Sequence, residues 1–289
     1  MSSIIKLHVF IIISLLILLV ACTGCGSATL KNRDINPPTR GLLAALQTEQ
    51  MPSSSESGYQ VTVTEMEGKR LSMGKMELML HVTDAEGAPV TRFTEDMTKL
   101  MHLIVVSKDL SAFQHVHPEQ IEGNAFRATL DFPYAGEYLF ATEFRPNKSN
   151  VTIHKQWIQV DGINESKEAL SLDATFEKRV SGLDVTFSAS PAINQIKAGQ
   201  TVMLLYRFMD AETGNPIKRV EPFLGTSGHC VILSSSADQY VHAHAMEAMS
   251  GGANVMFHTV FPEKGIYKLW GQFQYEGMTV TVPFVIAVN

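Results

Sequence analysis

Met101-His102-Leu103-Ile104-Val105-Val106-Ser107 and Gly228-His229-Cys230-Val231-Ile232-Leu233-Ser234 are two versions of one segment. Each is followed by a second matched piece, Phe113-Gln114-His115-Val116-His117 and Tyr240-Val241-His242-Ala243-His244. A single offset of 127 residues aligns all three histidines. Downstream, Phe132-Pro133-Tyr134-Ala135-Gly136-Glu137-Tyr138 matches Phe261-Pro262-Glu263-Lys264-Gly265-Ile266-Tyr267, and upstream Asp84-Ala85-Glu86-Gly87 matches Asp210-Ala211-Glu212-Thr213-Gly214. The chain is therefore a tandem duplication, one copy over 58–160 and the other over 171–289, joined by a polar stretch at 161–170. In the first copy, short runs rich in apolar and β-branched residues, bounded by turn residues, predict strands over Tyr59–Met66, Met76–Thr83, Met101–Ser107, Phe113–His117, Ala125–Phe132, Gly136–Phe144 and Ile153–Val160. Seven strands in about a hundred residues predict an all-β fold of two tandem immunoglobulin-like β-sandwich domains. The Gly-x-Tyr at Gly136–Tyr138 and Gly265–Tyr267 marks the entry to a late strand whose tyrosine packs at a corner.

The duplication sorts the ten histidines. His81, His154 and His258 occur in one copy only, whereas His102, His115 and His117 recur as His229, His242 and His244. Residues i and i+2 of a strand share a face, so His115 projects with His117 and His242 with His244. A hairpin centred between Asp109 and Leu110 sets His102 across from His117, and one centred between Ser236 and Ala237 sets His229 across from His244. Side chains opposed in this way stand roughly 5 Å apart at Cβ, close enough for three imidazoles to converge on one ion.

Three histidines suit zinc, copper or nickel. Met97 and Met101 in the first copy and Met246 and Met249 in the second are candidate thioether ligands, which would tilt the preference to copper, and Glu119 is a candidate oxygen ligand of the first copy. A competing reading is structural. Ile104 and Val106 share the face of His102, and methionines commonly fill cores. Cys230 adjoins His229 and so faces the other way; it reads as a buried apolar thiol.

Residues 1–21 read as a signal peptide, with Lys6 before an apolar run from Val9 to Val20 that is too short for a comfortable membrane span. Leu19-Val20-Ala21-Cys22 resembles the bacterial lipobox, which implies lipidation of Cys22 and a membrane partner through the acyl chains. Residues 22–57, rich in Ser, Thr, Pro and Asn, read as a flexible tether. The expected location is extracytoplasmic, on the cell membrane or on an outer membrane. A net charge of -6 argues against nucleic acid and against a polybasic membrane patch. Only one of the three cysteines lies in folded sequence, which excludes a disulfide framework there.

The segments Met101–Glu119 and Gly265–Phe273 resemble a family of secreted bacterial proteins carrying tandem sandwich domains, with the pattern histidine, strand, turn, His-x-His-Pro. The likeness covers most of 59–289, and Ala245 departs from it where the first copy has Pro118. A looser similarity is to small periplasmic copper-carrier sandwiches and to exported sandwich domains associated with heavy-metal handling. The repeated histidine trios and the lipobox give the leading expectation, a lipid-anchored metal-binding protein that buffers copper, with zinc the alternative, or hands it to an extracytoplasmic protein partner. The alternative function is an adhesion or protein/glycan-binding module whose histidines are structural. No Gly-x-Ser-x-Gly, phosphate loop or nucleophile–base pair is legible, so an enzyme is not expected. A three-histidine metal that activates water is the one enzymatic route left open.

Overall fold

A computed structural model describes residues 58–147, 149–163 and 170–289. The expected leader, Cys22 and tether lie outside the described residues, as does most of the joint between the copies. The first copy contains β1 (Tyr59–Glu65), β2 (Gly74–Asp84), β3 (Phe93–Thr94), β4 (Met101–Ser107), β5 (Phe113–Val116), β6 (Glu119–Glu122), β7 (Ala125–Phe132), β8 (Gly136–Pro146) and β9 (Thr152–Val160). The second contains β10 (Glu177–Val180), β11 (Leu183–Ser190), β12 (Thr201–Asp210), β13 (His229–Ser234), β14 (Tyr240–His244), β15 (Asn254–Val260), β16 (Gly265–Tyr275) and β17 (Met278–Val288).

All pairings between these strands are antiparallel. The first copy stacks a β1-β2-β7-β6 sheet on a second sheet in which β8 lies between β4 and β9 and β5 forms the edge. In immunoglobulin lettering these are A-B-E-D and G-F-C-C′. The second copy repeats the scheme with β11-β12-β15 and β14-β13-β16-β17, and adds β10 outside β11. The seven strands expected from sequence are present; the two-residue β3, the exposed β6 and β10 were not expected. Tyr138 and Tyr267 donate their hydroxyls to the carbonyls of Tyr134 and Glu263, at 2.8 and 2.9 Å, four residues upstream. The corner tyrosines are thus confirmed.

The strand patterns explain what covers each sheet. On β7, Phe126, Ala128, Leu130 and Phe132 are buried and alternate with exposed residues, so this sheet has one covered face. On β4 and β13 every residue is buried. Leu103 and Val105 join their own sandwich core, and Cys230 and Ile232 join theirs. The opposite faces carry Ile104, Val106, Leu139 and Ala141 from the first copy and Val231, Leu233 and Trp270 from the second, packed in one apolar cluster. The two histidine-bearing sheets therefore pack on each other, and the unbroken apolar runs of β4 and β13 follow from burial on both faces.

Candidate metal centre

Two hairpins hold the histidines. Leu103 pairs with Val116 and Ile104 with His115, a register that continues to His102 opposite His117 just beyond the end of β5. His229 pairs directly with His244. Both hairpins turn through a four-residue loop whose third residue, Leu110 or Ala237, is left-handed at φ 57 or 59. Its amide donates to Ser107 or Ser234, 2.8 Å away in each case. The equal loops give the two copies the same register, as the sequence predicted.

Within each trio the rings converge. In the first, His102 Nδ1 lies 3.1 Å from His115 Nε2, and the His102 and His117 rings are 4.9 Å apart. In the second, His229 Nδ1 lies 3.1 Å from His242 Nε2, with the His229 and His244 rings again 4.9 Å apart. One ligand nitrogen from each member of a trio falls within 4.8 Å of the other two. Nitrogens 3.1 Å apart, each about 2.05 Å from a shared ion, would subtend about 100° at it, near the tetrahedral angle that zinc favours.

The outer nitrogens decide the tautomers. His102 Nε2 lies 3.0 Å from the carbonyl oxygen of Asp96, which can only accept, so the proton is on Nε2 and the Nδ1 lone pair faces inward. His115 Nδ1 lies 2.6 Å from Gln272 Oε1, an arrangement that leaves Nε2 as a second inward lone pair. Two lone pairs 3.1 Å apart would repel without a cation between them, whereas the opposite orientation of the Gln272 amide would let His115 Nε2 donate to His102 Nδ1. The second trio has more freedom. His242 Nδ1 lies 2.5 Å from Glu143 Oε2, and His229 Nε2 is buried with no hydrogen-bond partner among the described residues. His117 Nε2 and His244 Nε2 are likewise buried and unpartnered.

Asp96 is presented by a tight turn in which Asp96 and Lys99 exchange backbone hydrogen bonds and Met97 and Thr98 are both left-handed. Arg145 anchors it, with Nη2 2.7 Å from Asp96 Oδ1. The matching turn of the second copy holds Leu224 and Gly225 in the left-handed region. A Cβ on Gly225 would stand 3.1 Å from Thr98 Cγ2, so the two turns approach closely where the copies meet. Phe223, aligned with Asp96, sets its ring edge-on to His229 at 5.4 Å.

Burial keeps the imidazoles neutral. His117 is pushed down to about 3 and His244 to about 4, chiefly by loss of water. His115, His229 and His242 are held well below the ordinary histidine value by burial first and by neighbouring imidazoles second. His102 is lowered by burial as well. Glu143 is pushed up to about 8, mainly by burial and then by the charge of Asp96. Burial thus works against charge on Glu143 as it does on His242.

The two trios form one cluster across the interface. The His115 and His242 rings are 5.2 Å apart, His102 and His242 5.5 Å, His115 and His229 5.9 Å, and His102 and His229 6.1 Å. Sequence reading missed Glu143 and Gln272, which stand opposite His102 and His229 on the neighbouring strands. A signal was present, because each stands seven residues after the glycine of the repeated Gly-x-Tyr, Gly136 or Gly265.

Two of the accessory candidates, Met101 and Glu119, need correction. Met101 packs into the core of its own sandwich, because it precedes His102 and takes the opposite face. Glu119 begins β6 in the other sheet, is exposed, and faces Arg127 at 3.7 Å. Met97 lies in the Asp96 turn and Met246 is buried two residues past His244. Cys230 is buried as an apolar thiol, its Sγ 3.9 Å from the Tyr206 hydroxyl and its pKa pushed up to about 12 by burial. His154 lies apart, 3.3 Å from Gln60 Oε1.

Comparison with curated proteins returns no match. Among solved structures, the adhesin InvE of Yersinia pseudotuberculosis is similar at 10% identity and TM-score 0.24, over 82% of this chain and 62% of that one. A Salmonella alpha-2-macroglobulin is similar at 10% identity and TM-score 0.26, over 83% of this chain and 15% of that one. The transglutaminase of red sea bream is similar at 7% identity and TM-score 0.22, over 81% of this chain and 31% of that one. Likeness at these scores carries no argument about this chain. A family model described as Domain of unknown function (DUF8832) matches twice, over residues 54–162 and 178–289, in agreement with the duplication. The chain belongs to the DUF8832 family and carries two copies of its domain.

Proposed function

We propose that this chain is an exported, lipid-anchored metal-binding protein that holds one transition-metal ion in each histidine trio and buffers or delivers it outside the cytoplasm. The observation that carries the reading is the convergence of three ring nitrogens in each trio, with His102 Nδ1 and His115 Nε2 3.1 Å apart and their outer nitrogens facing Asp96 O and Gln272 Oε1. That is the arrangement of metal-bound histidine, in which an outer hydrogen bond fixes the ring and its tautomer. The depressed histidine pKa values support it, since ligands already neutral at pH 7 give up no proton when an ion arrives.

With Met101 and Glu119 turned away, the shared donor set of the two trios is imidazole. Such a set suits Cu²⁺ and Zn²⁺, and the Irving–Williams order favours copper. The lipobox at Cys22 supports attachment to a membrane, where the trios would meet the ion. The test is titration of the chelator-treated full chain with Cu²⁺ and with Zn²⁺. Two equivalents are expected, falling to one in His117→Ala and to one in His244→Ala. Full stoichiometry in both variants, or no uptake by the parent, would overturn the reading.

A further inference from the structure

The outer partners of the trios cross between the copies. Gln272, in the second copy, meets His115 of the first trio, and Glu143, in the first copy, meets His242 of the second. The exchange is reciprocal, because Glu143 stands opposite His102 on β8 as Gln272 stands opposite His229 on β16. Each polar side chain sits beside its own trio's first histidine but is spent on the other trio's second one. Glu143 and Gln272 are both buried.

We propose that each trio is completed in trans: Gln272 positions His115 and Glu143 positions His242, so ion binding is coupled to docking of the two domains. This rests on the metal-binding reading above and adds two positioning residues and a linkage to it. The physical basis is rotational. A histidine ring free of its outer hydrogen bond can turn about χ2 and change tautomer, and either change removes the lone pair from the trio. Ligating histidines that lose such a partner typically lose about 10–100-fold in metal affinity. By linkage, an ion that binds only the docked arrangement tightens the docking by the same factor.

The test separates near from far effects, with Co²⁺ as the spectroscopic probe. His244→Ala in the full chain leaves only the first trio intact, and His117→Ala leaves only the second. In the His244→Ala background, Gln272→Leu is expected to weaken Co²⁺ binding about 10–100-fold and to shift its visible d–d bands. The substitution lies in the domain whose own trio has been disabled, so the effect has to cross the interface. Gln272→Glu, which keeps an acceptor oxygen, is expected to restore the bands. In the His117→Ala background, Glu143→Leu is expected to do the same to the second trio and Glu143→Gln to rescue it.

Circular dichroism and the melting temperature of each variant establish that it is folded. Unchanged affinity and bands in folded Gln272→Leu, His244→Ala protein would overturn completion in trans while leaving the metal reading intact. Absence of any Co²⁺ uptake by the parent would overturn both.

Discussion

Trp270 is the largest side chain of the apolar cluster between the domains, and its removal tests whether that cluster joins them into one unit. It is 3% exposed and stacks on Phe113 of the other domain, with centroids 4.7 Å apart and an interplanar angle of 11°. Lys268 lies over its ring at 5.3 Å and donates to the Leu110 carbonyl of the first domain at 2.7 Å. Leu269, the residue before it, faces the second sandwich core, so Trp270→Ala empties the interface and spares that core. A buried aromatic of this kind removes about 150–250 Å² from water, or about 4–6 kcal/mol at about 25 cal/mol per Å². Measured truncations of buried aromatics to alanine cost about 3–5 kcal/mol, and that is the expected loss here. The loss falls on docking. Scanning calorimetry of the chelated parent is expected to give one transition, and of Trp270→Ala two, one for each sandwich. A double-mutant cycle with Phe113→Ala isolates the stack, with an expected coupling of about 0.5–1.5 kcal/mol. A single transition in Trp270→Ala close to that of the parent, with no coupling to Phe113, would refute the account of the interface.

Two other expectations follow from the buried groups. The chelated chain should be most stable near pH 6.5 and lose stability on both sides of it, on the alkaline side up to about pH 8. Histidines with depressed folded pKa bind fewer protons folded than unfolded, so stability falls as pH drops below 6.5 toward the values of about 4 for His244 and about 3 for His117. Glu143, raised to about 8, has the opposite sign: it takes its proton in the folded state first, so its contribution worsens as pH rises from 4.5 to 8. Each group contributes a slope of at most about 1.4 kcal/mol per pH unit. Denaturant midpoints across pH 4–9 check this; a flat profile below pH 6.5, or an alkaline limb that survives in Glu143→Gln, would contradict it. Cys230, fully buried with its pKa at about 12, should react with thiol reagents at pH 8 only after denaturation, which mass spectrometry would detect. Rapid labelling of the folded chain at Cys230 would count against the packing described.

Much of this site was legible because the repeat supplies its own control. The offset of 127 residues isolated three histidines, and the turn centres at Asp109–Leu110 and Ser236–Ala237 gave the observed register. The face rule that excludes Cys230 also excludes Met101, since each adjoins the first histidine of its trio. The apolar neighbours Ile104 and Val106, on the face of His102, are buried but lie outside the first sandwich's own core. They belong to a third core between the domains, and a run buried on both faces cannot say which cover lies on which side. Glu143 and Gln272 escaped notice because the second copy is two residues longer after the His-x-His strand, so they align at 129 residues and not 127. Their partners lie across a domain interface that no pattern within one copy reveals.

X-ray absorption on the copper- or zinc-loaded full chain tests the central claim most directly. The account predicts imidazole nitrogens at about 2.0–2.1 Å, three per ion, with their outer-ring scattering and no sulfur shell. A sulfur shell near 2.3 Å, or an oxygen-only shell without imidazole scattering, would contradict it.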